Sequence, residues 1–338
     1  MLFYIQNYMK ILHSMLMINF DTIVSKYLLF IAYFRHKCYN TNIIFWSSIM
    51  IRLASDLHLE FHQDYFKTGG YEYALALLND ILKPLPTDKK TVLILAGDIL
   101  LIKNISDYGH FFKIISERFE TVLWIFGNHE WFKNKIKPER MQEIKEKMSI
   151  YGNIHILNNE TFENEHYHFI GTTLWSDIKK GDYLTAQDVV AVSYDFKKID
   201  FLEKGHYSKL RPRHVTKMFM DNEKFIQAEL LKIKSSKKAK VVITHHPPTE
   251  KAITDRMKLT PDFWSDFGDV KFSFLVEHDI VPDLWVHGHV HEKQDIKEGD
   301  LNIISNARGY DDVTSSGESM LNKDYDPSFM LDLTQPKL

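Results

Sequence analysis

Five apolar stretches of this chain stop abruptly at a carboxylate, an amide or an imidazole: "ASDLH" at 54–58, "LAGD" at 95–98, "IFGNHE" at 125–130, "ITHH" at 243–246 and "VHGHVH" at 286–291. Taken singly, such endings say little. A strand-end Asp is more often a turn former or helix cap than a ligand, and a lone His is more often a hydrogen-bonded core or surface residue. Their recurrence carries the signal. Oxygen donors mixed with imidazole nitrogens suit Mn, Fe, Zn or Ni better than Mg or Ca. In the last block Gly288 separates His287 from His289, where a Cβ would crowd the turning backbone.

These residues meet only if the chain brings the strand ends together. From Met50 onward, "IRLAS" reads as a strand. "YEYALALLNDIL" has helical spacing and stops before Pro84 and Pro86. "TVLILAGD", a helical segment around 108–119, "TVLWIFGNHE" and "PERMQEIKEKM" continue the alternation, the last with Pro138 suited to a first helical turn. Later come "HYHFIGTTLW", helical stretches near 185–197 and 213–234, "KVVITHHPP" and "DLWVHGHVH". Alternating strands and helices imply an α/β fold, in which the loops beyond the carboxyl ends of the strands converge on one crevice.

In order and type, the blocks resemble the signature of the calcineurin-like metallophosphoesterases. D-x-H is Asp56-Leu57-His58, G-D is Gly97-Asp98, G-N-H-E is Gly127-Asn128-His129-Glu130, the isolated His is His245, and G-H-x-H is Gly288-His289-Val290-His291. The resemblance covers about residues 50–310. "SDLHLEF", "GTTLWSD", "THHPP" and "SNARGY" are similar, more narrowly, to a bacterial and viral branch of small phosphohydrolases. The family implies a four-layer α/β/β/α sandwich, classed as α/β or α+β, with two divalent metal ions at the strand ends.

Carried over block by block, the resemblance gives Asp56, His58 and His291 to one ion. Asn128, His245 and His289 go to the other, and Asp98 bridges both. A shared carboxylate offsets the repulsion between two cations, and a bridging hydroxide would be the nucleophile. The Pro two positions on selects His245 over His246, which is left as a near-site candidate for substrate binding. His129 is implied as the catalytic residue, an acid or electrostatic donor at the leaving-group oxygen; the alternative is that it orients Asp98 or its loop. His287 has no ligand role in the pattern and reads as structural or as a support behind the ligands. Arg308 is a candidate cation for the substrate, with a surface salt bridge as the alternative. Trp131, Phe132, Trp175, Trp264 and Tyr310 are candidate pocket walls, each equally at home in a core.

The 338 residues carry a formal net charge of −3 and are 44% hydrophobic, as expected of a soluble globular protein. That balance disfavours a surface built to coat nucleic acid. A nuclease of the same superfamily, which "SDLHLE" also resembles, is therefore the second reading, and an inactive binding module the third. No ligand position is missing, which counts against the third. After Gly97-Asp98 comes "ILLIKN" rather than the "YVDRG" type of serine/threonine protein phosphatases, so the expected substrate is a small or nucleotide-like phosphodiester or phosphomonoester. Cys38 is the only cysteine, which fits a reducing, cytoplasmic setting. Asp21, Lys26, Arg35 and Lys37 break the apolar runs of residues 1–49 before they reach the ~18 residues that a membrane span needs. That stretch is expected as an N-terminal extension outside the catalytic fold. The catalytic domain is expected over 50–310, with a helical cap around 158–240, and 311–338 as a C-terminal tail. Oligomeric state is left open.

Overall fold

A run such as "TVLILA", apolar on both faces, is stable only between two other layers. The computed structural model describes residues 50–255, 257–313 and 319–333 and places that run inside such a stack; the expected extension, 1–49, lies outside the described residues. Strands β1 (Met50–Ala54), β2 (Thr91–Ala96), β3 (Thr121–Ile125) and β4 (Ile154–Ile156) pair in parallel, in that order. A second sheet contains β5 (Glu160–Glu163), β6 (Tyr167–Gly171), β7 (Ala239–Ile243), β8 (Leu284–His287), β9 (Lys293–Glu298) and β10 (Leu301–Asn306), in the order β9-β10-β8-β7-β6-β5. Its four inner strands are parallel, and both edges are antiparallel.

Alternation along the strands separates two cores. Ile51, Leu53, Ile94 and Ile125 join Phe169, Val241, Ile243 and Val286 in a core drawn from both sheets. Leu93, Leu95 and Trp124 turn the other way and join residues of α1 (Gly70–Ile81), α2 (Gly109–Arg118) and α3 (Pro138–Met148), among them Leu78, Phe111 and Ile144. Ile170, Val242 and Trp285 of the second sheet likewise face away from the first. The result is the expected α/β/β/α layering.

Two expected boundaries change. Segment 158–240 opens with β5 and β6 of the second sheet, because buried Tyr167, Phe169 and Ile170 form a core strand. Only then come α4 (Tyr183–Val192) and α5 (Pro212–Lys232). Val215, Phe219, Ile226 and Leu230 of α5 are buried, so this helix packs on the body of the domain. Residues past 310, expected as a tail, also enter the fold. Strand β11 (Met330–Leu331) pairs antiparallel with β1. Arg52 is 1% exposed and needs acceptors; it pairs with Asp88 at 2.9 Å and donates to the Pro327 carbonyl. No helix among the described residues is long and apolar enough to cross a membrane.

Candidate metal centre

The carboxyl ends of β1, β2, β3, β7 and β8 open on one edge. Asp56 N donates to Gly97 O and Gly288 N to His245 O, so the strand exits of each sheet are tied together. A parallel bridge between Ser55 and Ala307 joins the exit of β1 to that of β10. Asp56, His58, Asp98, His289 and His291 leave their strands with φ between 46° and 72°. This left-handed region costs a residue other than glycine about 1–3 kcal/mol, and such strain persists where the surrounding fold enforces it. Glycines solve a different problem here. A Cβ on Gly288 would sit 2.6 Å from Asp56 Oδ2, so the requirement at that position is close approach.

Three groups of donor atoms result, one of which, His58 with Glu60 and His129, shares His58 with the first of the other two. Asp56, His58 and His291 offer atoms within 4.8 Å of one another, and so do Asp98, His245 and His289. In the first group His58 Nε2 faces His291 Nε2 at 3.1 Å, and His291 Nε2 lies 3.4 Å from Asp56 Oδ1. In the second, His245 Nε2 lies 3.0 Å from Asn128 Oδ1 and 3.2 Å from His289 Nδ1. Asp98 reaches both: Oδ1 is 3.4 Å from His245 Nε2 and Oδ2 is 3.9 Å from His58 Nε2.

The outer atoms of these side chains are pinned so that lone pairs face inward. His58 Nδ1 lies 3.1 Å from Glu60 Oε1, and His245 Nδ1 lies 3.0 Å from Ala96 O. Each acceptor fixes the proton on the outer nitrogen and leaves the inner one free to coordinate. Asp266 Oδ1 lies 3.7 Å from His289 Nε2. Asn128 Nδ2 donates to Asp195 Oδ1 at 2.9 Å, which turns its amide oxygen toward His245. Fully buried Glu130 accepts from the N–H groups of Asp98, Ile99 and Gly127 and thereby locks two strand exits together. Sequence reasoning gave no role to Glu60, Asp195, Asp266 or Glu130. Glu130 ends a recognised block and Glu60 lies beside one, whereas nothing near Asp195 or Asp266 marks them.

Electrostatics agree with a cation site. Burial opposes charge on Asp56 and Asp98, yet the neighbouring histidines hold both carboxyls below their ordinary range. Burial likewise opposes a charged imidazole at His245, but Asp98 and Asp56 push it up to about 10. Carboxylates and inward nitrogens thus concentrate negative potential at one point, and this donor set fits divalent ions of the Mn, Fe, Zn or Ni type. Asp195→Ala should let the Asn128 amide turn over. Metal affinity is then expected to fall roughly 10- to 100-fold, read by titrating Mn into stripped protein; unchanged binding would mean that the amide is held by other contacts.

His129 donates its backbone N–H to Asp98 Oδ1 at 2.8 Å, and its Nδ1 lies 3.1 Å from Glu60 Oε1. Burial lowers its affinity for a proton, but Asp98 and Glu60 outweigh this and raise its pKa. A cavity of about 460 Å³ is lined by Asp98, Asn128, His129, His289, His291 and Tyr310, among others. His246 and Arg308, expected at the substrate, are not among the described residues lining this cavity, although the His246 ring lies 4.2 Å from that of His289. His246 is 1% exposed, buried against Trp175 and His289, and Arg308 pairs with Asp311 at 3.1 Å. His287 is fully buried at the end of β8. Of the five aromatic candidates only Tyr310 is among the described lining residues, although Phe132 stacks on His129 at 4.0 Å. A second cavity, about 360 Å³ beside Lys145, His155 and Glu160, contains none of these donors.

The family description "Calcineurin-like phosphoesterase" matches residues 49–293, and the chain belongs to that family. It is therefore a hydrolase of phosphate esters that works with divalent metal. It is 26% identical over 283 residues to an uncharacterized protein of Acanthamoeba polyphaga mimivirus, covering 77% of this chain and 91% of that one. Its fold is similar to phosphopantetheinyl hydrolase from Mycobacterium tuberculosis, with a TM-score of 0.53 at 15% identity over 78% of this chain and 90% of that one. A dimetal phosphatase from Danio rerio gives a TM-score of 0.40 at 12% identity over 76% and 87% of the two chains.

Proposed function

We propose that this phosphoesterase hydrolyses a small phosphodiester or phosphomonoester with two divalent ions, one in each donor group, and with His129 at the leaving-group oxygen. The observation that carries the reading is the position of Asp98, whose two oxygens face the two groups from one wall of the cavity. Bound divalent ions would withdraw charge from the phosphoryl oxygens and acidify water. The chain's own residues do the rest. Glu60, Ala96 O and Asp195 keep donor atoms turned inward. Glu60 also holds the Nδ1 proton of His129, leaving Nε2 as the atom that gives a proton to the departing oxygen as the bond to phosphorus breaks. The single cysteine supports a reducing, cytoplasmic setting for this activity.

The test is reconstitution. Stripped protein reloaded with Mn or Zn should bind two ions and hydrolyse nitrophenyl or bis-nitrophenyl phosphate, assayed beside labelled DNA. One ion per chain at saturation would overturn the dinuclear reading. Activity confined to DNA would replace the small-substrate reading with that of a nuclease.

A further inference from the structure

Tyr310 has no role in the chemistry described so far, yet its hydroxyl lies 3.1 Å from His129 Nε2, the nitrogen that Glu60 leaves free. Both groups line the same cavity. The tyrosine ring is held in place: it lies 4.3 Å from the His58 ring and 4.5 Å from that of His291. Its backbone is held as well. Arg308 N donates to Ser55 O and Gly309 N to Asp56 O, each at 3.0 Å, so the strand reaching Tyr310 is fastened to the exit of β1. Gly309 has φ +87°, and a Cβ there would lie 2.8 Å from Met320 O, so only glycine fits beside the neighbouring strand. On the other side, Phe132 stacks on the His129 imidazole. Two polar groups carried on fixed rings thus meet at one place on the cavity wall.

We propose that Tyr310 is a second donor at the leaving-group oxygen, its phenol O–H giving a hydrogen bond to the atom that takes the proton from His129. The assignment rests on the phosphoesterase reading and deepens it. A phenol is protonated at neutral pH and donates without losing its proton. Only one proton moves, from His129 Nε2 to the departing oxygen. A donor already aimed at the developing charge helps most when that charge is poorly stabilised by the leaving group itself.

Tyr310→Phe removes the hydroxyl and keeps the ring, so the fold and the His58 contact are retained. In the metal-loaded full chain, kcat for an alkyl phosphate ester should fall roughly 10- to 100-fold, short of the ~100- to 1000-fold of a lost oxyanion-hole donor because His129 still protonates the oxygen. The loss for a nitrophenyl ester should be under about threefold, because nitrophenolate needs little help in leaving. KM and bound metal should not change. The same substitution in a His129→Ala background should still cost the alkyl ester several-fold; no further loss there would reduce Tyr310 to a brace for His129 and overturn the assignment. Equal losses on both esters, or loss of metal, would also overturn it. A readout independent of turnover is the imidazole 15N spectrum. Tyr310→Phe should shift His129 Nε2 and leave Nδ1 in place, and an unmoved Nε2 would refute the contact. Wild-type turnover of both esters, measured alongside, separates failure of this assignment from failure of the phosphoesterase reading.

Discussion

Asp98→Ala is expected to abolish turnover and to empty both donor groups together. Its carboxylate faces the two groups, through Oδ1 toward His245 and Oδ2 toward His58. It also accepts the backbone N–H of His129, so the variant loosens the proposed acid as well. Losing an outer partner of a metal ligand costs roughly 10- to 100-fold, and losing a shared direct ligand should exceed that by a further order of magnitude or more. Elemental analysis and kcat on a nitrophenyl ester give the outcome in one preparation. Two bound ions and an undiminished rate would refute the bridging role. Folding should persist, because the buried sheets beneath Asp98 are built from Leu93, Leu95, Ile94 and their neighbours. Circular dichroism would verify this.

Gly127→Ala is expected to be nearly as damaging, although glycine has no donor atom to lose. A Cβ there would stand 2.2 Å from Asp98 Oδ1 and 2.6 Å from His245 Nε2. No real carbon tolerates such distances, so either the backbone or both donors must move. The backbone is anchored, because Gly127 N donates to buried Glu130 at 2.8 Å. The donors therefore move apart, and a methyl group occupies the space between them. A loss of metal affinity and of kcat beyond about a hundredfold is expected, since the change reaches two donors where an outer-partner variant reaches one. Gly109→Ala serves as the control. It lies at the first turn of α2 with nothing within 4 Å of the added Cβ, and it should leave metal binding and rate unchanged. Full activity of Gly127→Ala would mean that the functional centre lies away from this crevice.

These two substitutions also separate what was legible from what was not. Asp98 could be named from "LAGD" taken together with the other four blocks, whose order and residue types resemble the family signature. Gly127 was visible as part of a block, but its purpose was not: the atoms that forbid a side chain come from Asp98, 29 positions earlier, and from His245, 118 positions later. The same holds for the left-handed backbone at Asp56, His58, Asp98, His289 and His291. Propensity gives no reason to expect it, since it is imposed by strand exits that must turn within one crowded edge. Arg308 and His246 show how far residue type alone carries. Their residue types suit a phosphate, but Asp311 engages one and the body of the protein encloses the other.

The sequence by itself determined the kinds of donor, their order along the chain and the alternation of strand and helix that made an α/β fold with strand-end chemistry the economical reading. Those features are local, written in side-chain type and in the period of apolar residues. Only the tertiary structure decided which atom of each donor faces inward. That depends on Glu60, Ala96, Asp195 and Asp266. It also decided that Tyr310, from a strand near the chain's end, completes the wall beside His129. An imidazole or amide can coordinate through one atom only when another group occupies the opposite one, and several of those groups come from elements far away in sequence.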